Sequence, residues 1–186
     1  RVLFILLTLY VNPLFTSSVF AGQGSPENLV FIDKSLPDCD KLAAWVDMPS
    51  AAVVFIDPVR YEGLLEVTSE IERYEGIKSV HIVGHGKAAT LMIGRTNLWG
   101  DDLLANEETF QKWKAHIAAG ADLLLYGCSV AATEEGEMFA DNLTSVTGMD
   151  VAASTNLTGN ALQGGDWNLE YQTGSIETSL AFSTEV

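Results

Sequence analysis

The sequence predicts an α/β fold, a mostly parallel central sheet of about six strands in a single folded domain, and three observations predict it. Five short, nearly continuous apolar runs, Leu29 to Asp33, Ala52 to Asp57, Ser79 to Gly84, Asp122 to Gly127 and Asp150 to Ala153, have the character of strands buried on both faces. Longer segments of helical period lie between them, the alternation that builds parallel sheets. The 186 residues suit one core of ordinary size, and 47% hydrophobic against 19% charged residues excludes a disordered tail.

The elements follow in chain order. Residues 1–21 read as a secretory signal peptide: Arg1, an apolar run from Val2 to Val11, Asn12-Pro13, then a small and polar stretch ending Val19-Phe20-Ala21. The apolar run is about half of the ~20 residues that cross a bilayer, so no membrane span is expected once the signal is removed. Because the sequence opens on Arg rather than Met, its true start is expected upstream. Residues 22–27 are read as a linker, 28–182 as the folded domain, and 183–186 as the start of a linker to a downstream region.

After the first strand, Leu42, Trp45 and Val46 make a short helical stripe. In Gly63 to Glu75, Leu64, Val67, Ile71 and Tyr74 follow the 3.6 period, while Glu66, Glu70 and Glu72 point elsewhere. Thr90 to Ile93, Gly94-Arg95 and Thr96 to Trp99 read as a hairpin inserted after the third strand. A helix from near Asp102 carries Phe110, Trp113 and Ile117, and one after Thr133 carries Phe139, Leu143 and Val146. From Gly164, Leu169 and Tyr171 alternate with Asn168 and Glu170, which suggests a last strand. The aromatic residues of these stripes are expected in the core, and the acidic runs on solvated faces.

A net charge of −15 repels a phosphate backbone, which excludes nucleic acid as a partner class. Two cysteines are too few for a disulfide framework, although an exported chain can pair them. Three readings of Cys128 stay open: a catalytic thiol, a buried free cysteine, and a bridge to Cys39.

Two strand ends carry chemistry. Ile82-Val83-Gly84-His85-Gly86 delivers a histidine, and Leu123 to Ser129 delivers Cys128. Open α/β sheets bind ligands at the carboxyl ends of their strands, so neighbouring strands would bring the two side chains together. A thiol of pKa near 8.5 is only a few per cent thiolate at neutral pH, and an adjacent imidazole can deprotonate it. Gly86 lets its N–H face an oxyanion, with the N–H of Cys128 as second donor. Glu134 and Glu135 follow Thr133 at the next helix start and do nothing to lower a thiol pKa.

A strand ending in His-Gly and another ending in a small residue and Cys resemble the caspase-type cysteine peptidases, the group of gingipains, legumains and separases. More closely, V-H-I-V-G-H-G, L-L-L-Y-G-C, V-A-A-S-T-N-L-T-G and G-G-D-W-N-L-E-Y together resemble a bacterial domain-of-unknown-function family, over roughly Asn28 to Phe182. That family is usually found near the N-terminus of very large exported surface proteins with cadherin-like or calcium-binding repeats. The resemblance implies a three-layer caspase-like sandwich and a cysteine endopeptidase at a bacterial cell surface or outside the cell. Its substrate would be polypeptide, including its own downstream chain. His85 would be general base and acid, Cys128 the nucleophile, and Gly86 an oxyanion donor; Asp33 and Ser154 would line the substrate pocket. No cofactor is expected, and no clear motif supports a calcium requirement. No internal processing loop is visible. The alternative is a non-catalytic interaction or export-associated module of the same fold.

Other chemistries fit less well. Gly86-Lys87 lacks the Ser or Thr of a phosphate loop at position 88 and the earlier glycine at 81. Gly127 to Ala131 approximates a nucleophile elbow around Ser129, yet no histidine follows His116. His81 and His116 have no metal-type partner spacing. Asp33 and Asp57 end strands and could form an acid–base pair, but sequence sets no separation between them. Asn142-Leu143-Thr144 and Asn156-Leu157-Thr158 match a glycosylation sequon and carry no weight in a bacterial chain.

Overall fold

A computed structural model describes residues 18–20, 24–59 and 62–182 of the chain. Its strands are β1 (Ser18–Phe20), β2 (Asn28–Asp33), β3 (Ala51–Ile56), β4 (Ile77–Val83), β5 (His85–Lys87), β6 (Thr90–Ile93), β7 (Thr96–Trp99), β8 (Ile117–Tyr126), β9 (Asp150–Ala153) and β10 (Tyr171–Gln172). Its helices are α1 (Cys39–Trp45), α2 (Gly63–Ile71), α3 (Gly100–Ala105), α4 (Glu107–Trp113) and α5 (Glu134–Thr147). The main sheet runs β1-β3-β2-β4-β8-β9-β10. Its five central strands are parallel, and β1 and β10 close the two edges antiparallel. The segment read as an export signal lies outside the described residues except at Ser18–Phe20, which pairs with β3; residues 183–186 lie outside them too. No helix among the described residues is long and apolar enough to cross a membrane.

The period of two sorts the central strands between two cores. Leu29 and Phe31, Val80 and Ile82, Leu123 and Leu125 face a large core closed by Leu64 and Val67 of α2, Leu103 of α3, Phe110 and Trp113 of α4, and Phe139 and Leu143 of α5. Val30, Ile32, Val83, Leu124 and Tyr126 face a smaller one, closed by Leu42 of α1 and by Trp167, Leu169, Ala181 and Phe182 of the irregular C-terminal stretch. Helices therefore layer one face thickly, whereas the other has one seven-residue helix and coil.

The chain leaves β2 through α1 to β3 on one side, then returns through α2 to β4 on the other side of β2. The crevice at that reversal, at the strands' carboxyl ends, is where such sheets take ligands.

Several elements differ from the expected ones, each for a local reason. The helix near Asp102 is two helices, parted at Asn106, whose side-chain amide donates to the Asp102 carbonyl (2.9 Å) and offers the backbone an alternative to helix. Ile117 opens β8 instead of continuing α4. Its pairing with β4 jumps from Ile77↔Ile117 to Ser79↔Asp122, and Gly120 in the extra loop has φ 72°. The last strand shrinks to Tyr171–Gln172 because Trp167 and Leu169 turn into the small core. Trp45, expected in the core, is 43% exposed, whereas Trp113 is buried as expected. The inserted hairpin gains a third strand, β5, which begins at His85.

Candidate functional site

Glycines set the approach of the two strand ends. A Cβ on Gly86 would lie 2.7 Å from the carbonyl carbon of Gly127 and 2.8 and 2.9 Å from the N and O of Cys128. Only a residue without a side chain lets β5 lie against the Gly127–Cys128 peptide. Gly84 backs in the same way on the Met92 carbonyl, which seats β5 beside β6. His85 and Cys128 thereby come to line one cavity of about 370 Å³. His85 is exposed and Cys128 half-buried. Among the described residues, no acceptor takes the N–H of Cys128, and the thiol donates to the Thr158 carbonyl at 3.8 Å.

The turn after Cys128 is strained and braced. Ser129 has φ 59°, a left-handed conformation that a side chain disfavours. The Asn156 carbonyl holds it there, accepting from Ser129 N (2.6 Å) and Ser129 Oγ (3.3 Å). Asn156 in turn donates through Nδ2 to Glu170 Oε1 (2.8 Å) and Asp166 Oδ2 (3.2 Å), and Thr155 N donates to Glu170 Oε2 (2.8 Å). The four sequence motifs thus converge: two form the rim, and the other two bind each other and wall the cavity with Thr158, Gly159 and Trp167.

Two wall groups have unpaired polar atoms. Trp113, buried in the large core, donates its indole N–H to Thr68 Oγ1 at 2.9 Å. Trp167, also buried, donates to no partner among the described residues, and Thr158 Oγ1 likewise has none there. Buried donors are seldom left so. Both atoms belong to residues that line the cavity, although the atoms themselves are covered by protein.

The model of a family described as a domain of unknown function (DUF4347) matches residues 29–186. The chain belongs to the DUF4347 family. Searches of curated proteins and of solved structures each found no match.

Two residues expected in the substrate pocket of this DUF4347 domain sit elsewhere. Asp33 is 2% exposed and spends its carboxylate on the backbone N–H groups of Ser35 (2.7 Å) and Gly94 (2.6 Å), fastening the hairpin to β2. Ser154 is fully buried, and its Oγ donates to the Asn156 carbonyl at 3.1 Å. Neither lines the cavity. Cys39 and Cys128 are both free, so the bridge between them is not formed.

One wall residue of the DUF4347 domain stands in a quoted motif without a role of its own in the sequence reading. Tyr126 lines the cavity, and a buried chain of hydrogen bonds fixes its hydroxyl. Asn28 Nδ2 donates to the Pro49 carbonyl, which leaves Oδ1 to accept from Ser79 Oγ (2.7 Å). Ser79 Oγ then accepts from His81 Nε2 (2.9 Å), His81 Nδ1 accepts from the Tyr126 hydroxyl (3.1 Å), and Tyr126 accepts from Ala181 N (2.9 Å). This order makes His81 neutral with its proton on Nε2. Burial agrees, pushing its pKa down to about 3. A histidine inside an apolar strand was the one sequence sign of such a network. Asn156, which a quoted motif and a sequon both contain without giving it a role, is the brace behind Cys128.

Proposed function

We infer that this domain is a cysteine endopeptidase of caspase-like architecture in which His85 and Cys128 form the dyad. The observation that carries the reading is the close backing of Gly86 on the Gly127–Cys128 peptide, with both reactive side chains on the wall of one cavity. In the reaction, His85 takes the thiol proton and the sulfur attacks a peptide carbonyl carbon. The Cys128 N–H donates to the resulting oxyanion, and His85 returns the proton to the leaving amine. Water, deprotonated by the same imidazole, then hydrolyses the thioester and regenerates the thiol. The substrate class is polypeptide, including the exported surface protein to which the sequence resemblance assigns such domains.

The test compares wild type, Cys128→Ala, His85→Ala and iodoacetamide-treated protein on a peptide library and on a longer natural chain. Activity in wild type and at least a ~10³-fold loss in each of the other three is expected. Absence of cleavage by wild type, or undiminished cleavage by Cys128→Ala, overturns the reading.

One observation favours a non-catalytic binding module instead: the thiol donates to the Thr158 carbonyl, and His85 has no hydrogen-bonded partner to orient it among the described residues. That reading expects the same cavity to bind a peptide with an affinity that Cys128→Ala leaves unchanged.

A further inference from the structure

Far from the cavity, where β9 begins, three carboxylates meet. Asp122 of β8 and Asp150 of β9 are in-register partners across parallel strands, a position where like charges repel. One carboxylate oxygen each from Asp122, Asp150 and Glu177 lie within 4.8 Å of one another. The chain is pressed onto this cluster: a Cβ on Gly174 would overlap the Asp150 carboxylate and push it aside.

Asp122 supplies an independent observation. It is 1% exposed, and its Oδ2 accepts from the backbone N–H groups of Glu177 (3.0 Å) and Thr178 (2.8 Å). Its Oδ1 is buried with no hydrogen-bond partner among the described residues. A buried carboxylate oxygen left unsatisfied is costly, and two further carboxylates beside it make matters worse unless a cation sits between them.

We propose that Asp122, Asp150 and Glu177 bind a calcium ion that ties the C-terminal stretch 173–182 to β8 and β9. The donor set is all oxygen and anionic, which selects a hard divalent cation over a soft one. Carboxylates brought together from three separate stretches of chain suit calcium, whose shell of six to eight oxygens is flexible, better than magnesium, which demands a near-ideal octahedron. The half-buried Asp150 and exposed Glu177 leave one side open for water ligands. The tied stretch ends in Ala181 and Phe182, which close the small core over Tyr126. The ion therefore braces the thin face of the sheet and takes no part in chemistry at Cys128.

The test uses the whole chain, stripped with EDTA and melted with CaCl₂ or MgCl₂ at constant ionic strength. Calcium at a hundredfold excess over Kd is expected to raise Tm by about 5–10 °C, and magnesium at equal concentration by less. Asp150→Asn and Glu177→Gln are expected to lose the calcium shift. In EDTA, Asp150→Asn is expected to melt no lower than wild type, because it removes one of two facing charges. Asp122 is left intact, since its substitution would also break two backbone contacts. No calcium shift, a magnesium shift as large, or a shift that survives both substitutions and so belongs to the diffuse acidic surface, overturns the proposal.

Discussion

A methyl group on Gly86 would need space held by the Gly127–Cys128 peptide, and backbone has no flexible end that can yield. Gly86→Ala is therefore expected to destabilise the fold by about 1–3 kcal/mol, the range for overpacking, and to force the two rim segments apart. Urea denaturation reads the first effect, and the rate at which iodoacetamide alkylates Cys128 reads the second. Wild-type values for both would show that the rim does not depend on this contact. At this scale the sequence was informative where chemistry and backbone coincide. His85-Gly86 and Gly127-Cys128 advertise themselves by residue type. Trp167, Thr158 and Asn156 do not, because what sets them apart is a missing or a bracing partner, and partners are fixed only by packing. Trp113 and Trp167 look alike in sequence, and only the presence of Thr68 beside one of them separates a core residue from a cavity wall.

Helix α5 springs from the turn that follows Cys128, so its stability and the geometry of the rim can be tested apart. The Oγ1 of Thr133 accepts from Gly136 N at 3.3 Å, and Gly148, with φ 78°, ends the helix. Thr133→Ala is expected to cost about 1 kcal/mol in thermal or urea unfolding. It should leave the alkylation rate of Cys128 unchanged, because the turn is held by bonds from Ser129 and Ala131 to Asn156 and Ser154 rather than by the cap. A slowed or accelerated alkylation would mean that the helix itself positions the thiol. Strands with a clean apolar run, β2, β3 and β9, were legible in the sequence almost to the residue, and α2 and α5 at their starts, although α2 ends at Ile71 rather than Glu75. The misreadings gather where a side chain or a glycine competes with a period. Asn106 breaks a stripe that otherwise continues, Gly120 turns a helical-looking segment into a bulged strand, and Glu170 is drawn to Thr155 and Asn156 instead of standing in a ladder. The unequal covering of the two sheet faces was not legible, because strands buried on both sides read alike whatever covers them.

At the scale of the whole molecule, two of the buried titratable groups, His81 and Glu66, have opposite effects on stability, one in each core layer. His81, on the small-core side, has its pKa moved by burial from 6.5 to about 3. Glu66 on α2 has neither carboxylate oxygen hydrogen-bonded among the described residues, and its pKa is raised from 4.5 to about 7 by burial, then by the charges of Asp57 and Glu70. For His81 the unfolded chain holds the extra proton between about pH 3 and 6.5, so its contribution to stability is complete above that window and is lost as pH falls. For Glu66 the folded chain holds the extra proton between 4.5 and about 7, so its contribution is complete at low pH and is lost as pH rises. Where the windows overlap the two slopes oppose each other, and the wild-type profile hides both. Substitution separates them. The stability of Glu66→Gln relative to wild type is expected to rise with pH through its window, by at most about 1.4 kcal/mol per pH unit, and that of His81→Gln to fall with pH through its own. The loss of the Ser79–His81–Tyr126 chain adds a constant offset to His81→Gln, so the slope is the readout. Urea unfolding at half-unit steps from pH 4 to 8 measures both differences. A flat Glu66→Gln difference would mean that the carboxyl finds water in the folded state, and a flat His81→Gln difference that the imidazole accepts a proton inside the sheet.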